Sequence, residues 1–245
     1  MRFATVFIFL PILLTVLGSH RATPLETLPP VNLWAWERPE DLTFIDAEKV
    51  GVAFLAKTIY LTGDRVVVKP RLQPLKLAPG TKLTAVVRIE SDPANQPSLS
   101  ASQLHHTVKA VTDLSGISVV QVDFDATVSE RNFYRSLLTD LRRQLRGSTR
   151  LSITALASWC AGDDWITDLP VDEAVPMLFR MGVERSVFQR RLESGQRFES
   201  SLCRSTAGVS VDEPVNVPAV ARLYIFNPEP WTERSFARAM EVYKR

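Results

Sequence analysis

The chain has 245 residues, 45% of them hydrophobic, and 29 Lys and Arg against 27 Asp and Glu leave a formal charge of +2. That length bounds the fold to one large α/β domain or two small ones, and so even a charge balance gives no electrostatic case for a nucleic-acid partner. With 3 histidines and 2 cysteines, there is little material for histidine acid–base chemistry, and no ligand spacing suggests a metal site.

Arg2, the apolar run Ala4–Leu17 and the small residues Gly18, Ser19 and Ala22 read as a cleavable export signal over residues 1–19. About fourteen apolar residues broken by Pro11 are short for a membrane span, so no stable span is expected once the signal is removed, with an uncleaved anchor as the alternative. No cysteine follows the run, which excludes a lipid-attachment box. Residues 20–30 then lead into a single domain over 31–245. The expected location is periplasmic or extracellular. There a disulfide between Cys160 and Cys203 is permitted, with two buried thiols as the alternative.

Residues 31–36 read as a first strand. Arg38-Pro39-Glu40-Asp41 has proline at an early helical position and acids in the first turn, so it reads as a short helix. Residues 50–57 form a second strand. Where a helix would be expected next, Ile59–Leu61 and Arg65–Lys69 flank Thr62-Gly63-Asp64, the pattern of an inserted hairpin. Residues 83–90 make a third strand and Ser100–Leu114 a helix. After a fourth strand, 117–123, Thr127 and Glu130 have capping-box spacing. Phe133, Leu137, Leu141 and Leu145 then recur every fourth residue, with Tyr134 and Leu138 widening the stripe and Gly147 placed as a stop. Residues 151–157 and 173–179 are strands five and six, the latter carrying an awkward Pro176. Arg185–Leu192 is a helix, 206–211 and 220–226 are strands seven and eight, and Trp231–Tyr243 closes the chain as a helix. Eight strands alternating with helices predict an α/β (β/α)₈ TIM-type barrel. It must be reduced, with helices short or missing after strands two and seven. An open, mostly parallel sheet is the alternative.

The most informative run is Ile117–Asp125. Strand alternation puts Val120, Val122 and Phe124 on one face and Ile117, Val119, Gln121, Asp123 and Asp125 on the other. The first face is apolar, as a strand covered by helices requires. The second turns polar and ends in two carboxylates, as a barrel strand opening into a site would. Asp123 and Asp125 lie about 6.5 Å apart along such a strand, close enough for one charge to raise the other's pKa. Further acids follow other strands at the same end: Glu37, Glu90, Asp92, Asp212, Glu213 and Glu229. Such a mouth suits an oxocarbenium-like transition state. Trp36 and Trp159 directly follow strands and are the preferred platforms for sugar rings. The chain has no nucleophile elbow, dinucleotide fingerprint or phosphate loop, and no cofactor is expected.

Several of these runs resemble one uncharacterised bacterial exported family. They are Leu33–Leu42 (LWAWERPEDL), Gln121–Asp125 with Glu130 and Arg131, Leu151–Cys160, Leu169–Met177 and Ser210–Pro214. The family is that of domain of unknown function 3142, and the resemblance covers roughly residues 30–232. It implies an exported barrel and no established activity. More loosely, Gln121-x-Asp123-x-Asp125 is similar to the Asp-x-x-Asp-x-Asp-x-Glu signature of chitinase-type barrel glycoside hydrolases. That likeness implies Asp125 as general acid, Asp123 as its electrostatic partner and Gln121 as an orienting residue. The sequence departs from the signature with Asp for the final Glu and Gln for an Asp. Glycosidases that pair acids after strands four and seven nominate Glu213 as nucleophile or base. The expectation is a glycoside-hydrolase-like protein acting on an envelope or extracellular glycan, its partner a carbohydrate or polysaccharide, with Asp125, Asp123 and Glu213 catalytic. Gln121, Trp36, Glu37 and Trp159 are the expected substrate-binding residues. The alternative is a non-catalytic exported glycan-binding protein on the same fold.

Overall fold

The computed structural model describes residue 25, residues 27–217 and residues 219–243; the expected signal, Met1–Ser19, lies outside the described residues. In chain order the elements begin with β1 (Val31–Ala35), β2 (Glu40–Leu42), β3 (Val50–Thr62), β4 (Arg65–Pro70), β5 (Leu75–Leu77) and β6 (Leu83–Ser91). Helix α1 (Ala101–Thr112), β7 (Val119–Asp123), α2 (Arg131–Gln144), β8 (Arg150–Leu156) and the short α3 (Ala157–Cys160) follow. The chain ends with β9 (Glu173–Met177), α4 (Arg185–Glu193), β10 (Thr206–Ser210), β11 (Arg222–Phe226) and α5 (Glu233–Val242).

Eight parallel strands close on themselves in the order β1-β11-β10-β9-β8-β7-β6-β3, and β3 pairs back to β1. This is the expected (β/α)₈ barrel, and the open sheet is excluded. Where helices cover it the outer face is apolar: Val120 and Val122 of β7 and Leu151 and Ile153 of β8 pack in one core with Phe133, Leu137 and Leu141 of α2. Burying each such side chain contributes about 1.5–3 kcal/mol. The capping box at Thr127 and Glu130 forms, in a short 3-10 turn that runs into α2. The helix ends at Gln144 with Leu145 in extended conformation, ahead of Gly147, which therefore caps nothing.

The barrel is reduced where the sequence anticipates a hairpin. After β3 the chain turns at Gly63 (φ 50°) and returns as β4, antiparallel to β3, in place of a helix. The expected helix at residues 38–41 is replaced by β2, which pairs with β5. Tertiary contacts override the helix-start signals: the buried Glu40 carboxylate accepts from Arg38 Nε and from the Trp231 backbone N–H, both at 2.8 Å. Pro176 does lie in a strand. Its missing N–H is tolerated beside the barrel's thinnest seam, where β9 and β10 share one register pair, Gly208 with Met177. There Thr206 Oγ1 adds a bond to the Ala174 carbonyl at 3.1 Å.

Inside the barrel the lower half is polar and closed. Gln121 donates to Ser152 Oγ (3.1 Å), which donates to Glu173 (3.0 Å), whose carboxylate also takes Tyr224 Oη (3.0 Å) and Arg222 (2.5 Å). Each member is buried, so this is a neutralised network of the kind a low dielectric demands. Arg222 also donates to the Leu25 carbonyl at 2.8 Å, and Leu25 and Leu28 pack against Val119 at the N-terminal end of the barrel.

Candidate functional site

The upper half opens into a cleft of about 520 Å³ at the C-terminal ends of the strands. Its floor is Trp34. The indole lies within the barrel because β10 carries glycine beneath it: a Cβ on Gly208 would sit 2.7 Å from the ring. Trp34 Nε1 donates to Gln121 Oε1 at 3.0 Å and the ring stacks on Tyr224, centroids 5.4 Å apart.

One wall is aromatic. Phe179 and Phe226 stack nearly parallel, 5.7 Å apart, and Trp36 meets Phe226 edge-on at 6.0 Å. The backbone at Trp36 is pinned by Arg71, just beyond β4, which donates to the carbonyls of Ala35 (3.3 Å), Trp36 and Arg38 (2.6 Å). The Arg180 guanidinium lies over the Phe226 ring at 5.4 Å, from a residue with left-handed backbone (φ 52°).

The adjoining wall is charged, the Arg88 guanidinium lying over the Trp36 ring at 5.8 Å from its centroid. Arg88 donates to Asp123 (2.8 Å) and Glu90 (2.6 Å), and Thr154 Oγ1 donates to the other Asp123 oxygen at 2.6 Å. Asp123 is thus buried, paired and fully engaged. The Arg88 guanidinium loses hydration on burial, yet its two carboxylate partners raise its pKa. Asp125 differs. It lines the same cleft, but among the described residues it accepts no hydrogen bond and makes no ion pair. Water displaced by the cleft walls, and then the negative charge of Asp123, push its carboxyl up to about 6, with Arg88 pulling the other way. Its side chain remains solvent-exposed, so the desolvation is that of a concave mouth rather than of a core.

The expected site residues therefore divide. Asp123, Asp125 and Trp36 share the cleft, with Glu90 of the rim acids beside them. Gln121 lies beneath the floor, fully buried, with both ends of its amide used by Trp34 and Ser152. Trp159 is buried outside the barrel against Trp165, 4.8 Å between centroids, because β8 ends at Leu156 and the chain turns outward into α3. Glu37 accepts from the backbone of Leu72 and Gln73 on the outside of the mouth. Glu213 is not among the residues lining the cleft. It accepts from the Arg180 N–H and from Arg185, both at 3.1 Å, holding the loop that carries Arg180. Cys160 and Cys203 are joined in a disulfide, Cα atoms 5.9 Å apart, tying the turn after β8 to the approach to β10.

Sequence reasoning missed Arg88, Thr154, Phe179, Arg180 and Phe226. Four of them carried a signal: Arg88, Thr154 and Phe226 share inward parity with Val86, Ser152 and Tyr224, and Phe179 shares it with Val175. Arg180 had none, since its position follows from a loop turn. Among the described residues no group of three or more His, Cys, Asp or Glu is arranged to hold a metal ion, and no helix is long and apolar enough to cross a membrane. Comparisons with protein-family models, with curated proteins and with solved structures find no match.

Proposed function

We propose that this chain is an exported glycoside-hydrolase-like barrel of the family of domain of unknown function 3142, acting on an envelope or extracellular glycan with Asp125 as general acid. The observation that carries the reading is the Asp125 carboxyl: unpaired, in a cleft with aromatic walls, and held near 6. A general acid must be protonated for part of the time at working pH and must reach substrate unencumbered. Asp125 meets both conditions, whereas Asp123 is locked to Arg88 and Thr154 and is not free to reach substrate. Trp36, Phe179 and Phe226 offer flat apolar surface suited to the faces of sugar rings. Glu90 is the second carboxylate, since Arg88 occupies Oε1 while Oε2 has no partner among the described residues. The disulfide supports an oxidising compartment and so export.

A non-catalytic glycan-binding protein is the competing reading, and one observation favours it. Arg88 engages both other carboxylates of the cleft, so a base or nucleophile must work beside a bound cation. The two readings separate on one measurement. The mature protein is incubated with a panel of soluble and cell-wall glycans, and new reducing ends are quantified for wild type and Asp125→Asn. Release by wild type that the variant loses supports the hydrolase; binding without release supports the lectin-like reading.

A further inference from the structure

A second hollow, about 660 Å³, adjoins the first, and Arg88, Glu90 and Asp125 belong to the walls of both. Asp125 thus stands at the junction of two recesses rather than at the end of one. Either volume alone falls in the range of about 300–1,000 Å³ that accommodates a drug-sized ligand, so together they exceed what a single sugar unit needs. Their chemistry differs. The first presents Trp36, Phe179 and Phe226. The second presents Pro97 and Leu99 on one side and the hydroxyls of Thr127 and Ser129 on the other. Gln96 also lines it, and its amide has no hydrogen-bond partner among the described residues.

The outer wall of this second hollow is held in place by the hairpin that replaces a barrel helix. At the hairpin turn, Gly63 N–H donates to the Asn95 carbonyl (2.9 Å) and the Gly63 carbonyl accepts from Ser98 N–H (2.8 Å). Asp92 accepts from Thr62 Oγ1 at 2.9 Å. The fully buried Gln103 uses its whole amide on the same junction: Nε2 donates to Gly63 and Arg65 carbonyls, at 3.1 and 2.9 Å, and Oε1 accepts from Leu99 N–H at 2.9 Å. Leu99 is held at φ 53°, a left-handed conformation that a non-glycine residue keeps only where its surroundings impose it. The return of the same hairpin supplies Arg71, which pins the Trp36 loop on the other side of the mouth. One insertion therefore buttresses a wall of each hollow, and walls fixed before binding spare a ligand the cost of ordering them.

We propose that the ligand is an oligosaccharide or polysaccharide chain lying through both hollows, its reacting linkage over Asp125, with one part against the aromatic wall of Trp36, Phe179 and Phe226 and the other held by Gln96 and Ser129. This rests on the glycan reading above and adds that a chain, not a monosaccharide glycoside, is recognised. The test uses the full-length Asp125→Asn protein, which leaves oligomers intact. It is titrated calorimetrically with glucose, xylose, N-acetylglucosamine and galacturonic acid, each as monomer and as linear hexamer. For the sugar that binds, the hexamer should bind at least about thirtyfold more tightly than the monomer, roughly 2 kcal/mol. Ser129→Trp, which fills the second hollow, should weaken hexamer binding at least tenfold and bring the hexamer-to-monomer ratio toward one. Gln96→Ala should lower the same ratio severalfold and serves if the tryptophan variant does not fold. Equal affinity for monomer and hexamer, or a folded Ser129→Trp protein with an undiminished ratio, overturns the two-hollow groove. Trp36→Ala weakening monomer and hexamer alike would then still support the glycan reading. Absence of binding by every sugar sinks that reading and the groove with it.

Discussion

Arg88 donates to Asp123 at 2.8 Å across the seam between β6 and β7, where the two residues are also register partners in the sheet. The pair is therefore fixed by the barrel's own ladder, and it decides which strand-end aspartate is free. Arg88→Met should strand the Asp123 carboxylate, whose side chain is 4% exposed, without its cation. Losing one partner of a buried pair costs about 3–5 kcal/mol. Because the guanidinium is 32% exposed, solvent can partly replace it and a smaller cost, about 2–3 kcal/mol, is expected. Urea unfolding of the variant and wild type at pH 7 checks this, and an unchanged midpoint would show that the pair contributes nothing.

The Asp125 carboxyl near 6 sets two pH dependences of known sign. As general acid it must be protonated, so kcat/KM should fall as pH rises through about 6, and Asp125→Asn should reduce turnover by at least about a hundredfold. For stability the folded pKa is raised above the ordinary 3.8, so between these values the native state binds more protons than the unfolded chain. Stability contributed by this group is therefore lost as pH climbs from about 4 to 6. The Asn variant lacks that loss. Its melting temperature should match wild type near pH 4 and equal or exceed it at pH 7.5, by a modest amount because the side chain is solvent-exposed. A variant less stable than wild type at pH 7.5 would make Asp125 a structural residue.

Glu213 offers a sharper contrast. As a nucleophile its loss would cost about three orders of magnitude or more in turnover. Bound instead to the Arg180 N–H and to Arg185, it should act only by holding the Arg180 loop. Glu213→Gln is expected to stay within tenfold of wild-type kcat, with any larger change in KM. Steady-state kinetics on the first active glycan decides between the two.

Reduction of the disulfide should be costly. Cys160 and Cys203 are 43 residues apart in sequence, for which chain-entropy arguments give up to about 4 kcal/mol. The Cys160→Ser, Cys203→Ser double variant should unfold at correspondingly lower denaturant. Dithiothreitol should lower the wild-type midpoint and leave the variant's unchanged.

The barrel was legible because strand and helix periods differ and alternate eight times along the chain. Even the irregular hairpin showed itself, since Thr62-Gly63-Asp64 interrupts a β-branched run. Asp123 and Asp125 were legible for the same reason: parity on one strand assigns a face. Parity stops being informative where a strand ends. Trp159 follows β8 directly, yet the chain turns into α3 there, and the indole falls outside the barrel. Parity also gives no height within the barrel, which is why Gln121, correctly inward, lies under the cleft floor instead of in its wall. Residue 40 fails differently: Pro39 and two acids match a helix start, but the Glu40 carboxylate is claimed by Arg38 and by the Trp231 N–H, 191 residues away. Glu213 was nominated from its strand number, and strand number does not fix which way a loop carboxylate turns.

Gly208 is the position where cleft geometry depends on a missing side chain. Its backbone is ordinary strand, so conformational freedom is not the reason for glycine there. The reason is space: a Cβ would meet Trp34 Cη2 at 2.7 Å and Cζ3 at 3.1 Å, with the Pro176 carbonyl at 3.4 Å. The ring cannot retreat freely, because Nε1 is bonded to Gln121 and the opposite face stacks on Tyr224. Gly208→Ala should therefore cost about 1–3 kcal/mol by overpacking and lift the indole into the cleft. Gln121 would then lose its donor, a further cost for a buried amide. The expected signature is a lower melting temperature together with altered near-ultraviolet circular dichroism and weaker glycan binding. A variant as stable as wild type, with unchanged aromatic spectra, would mean that Trp34 does not rest on Gly208.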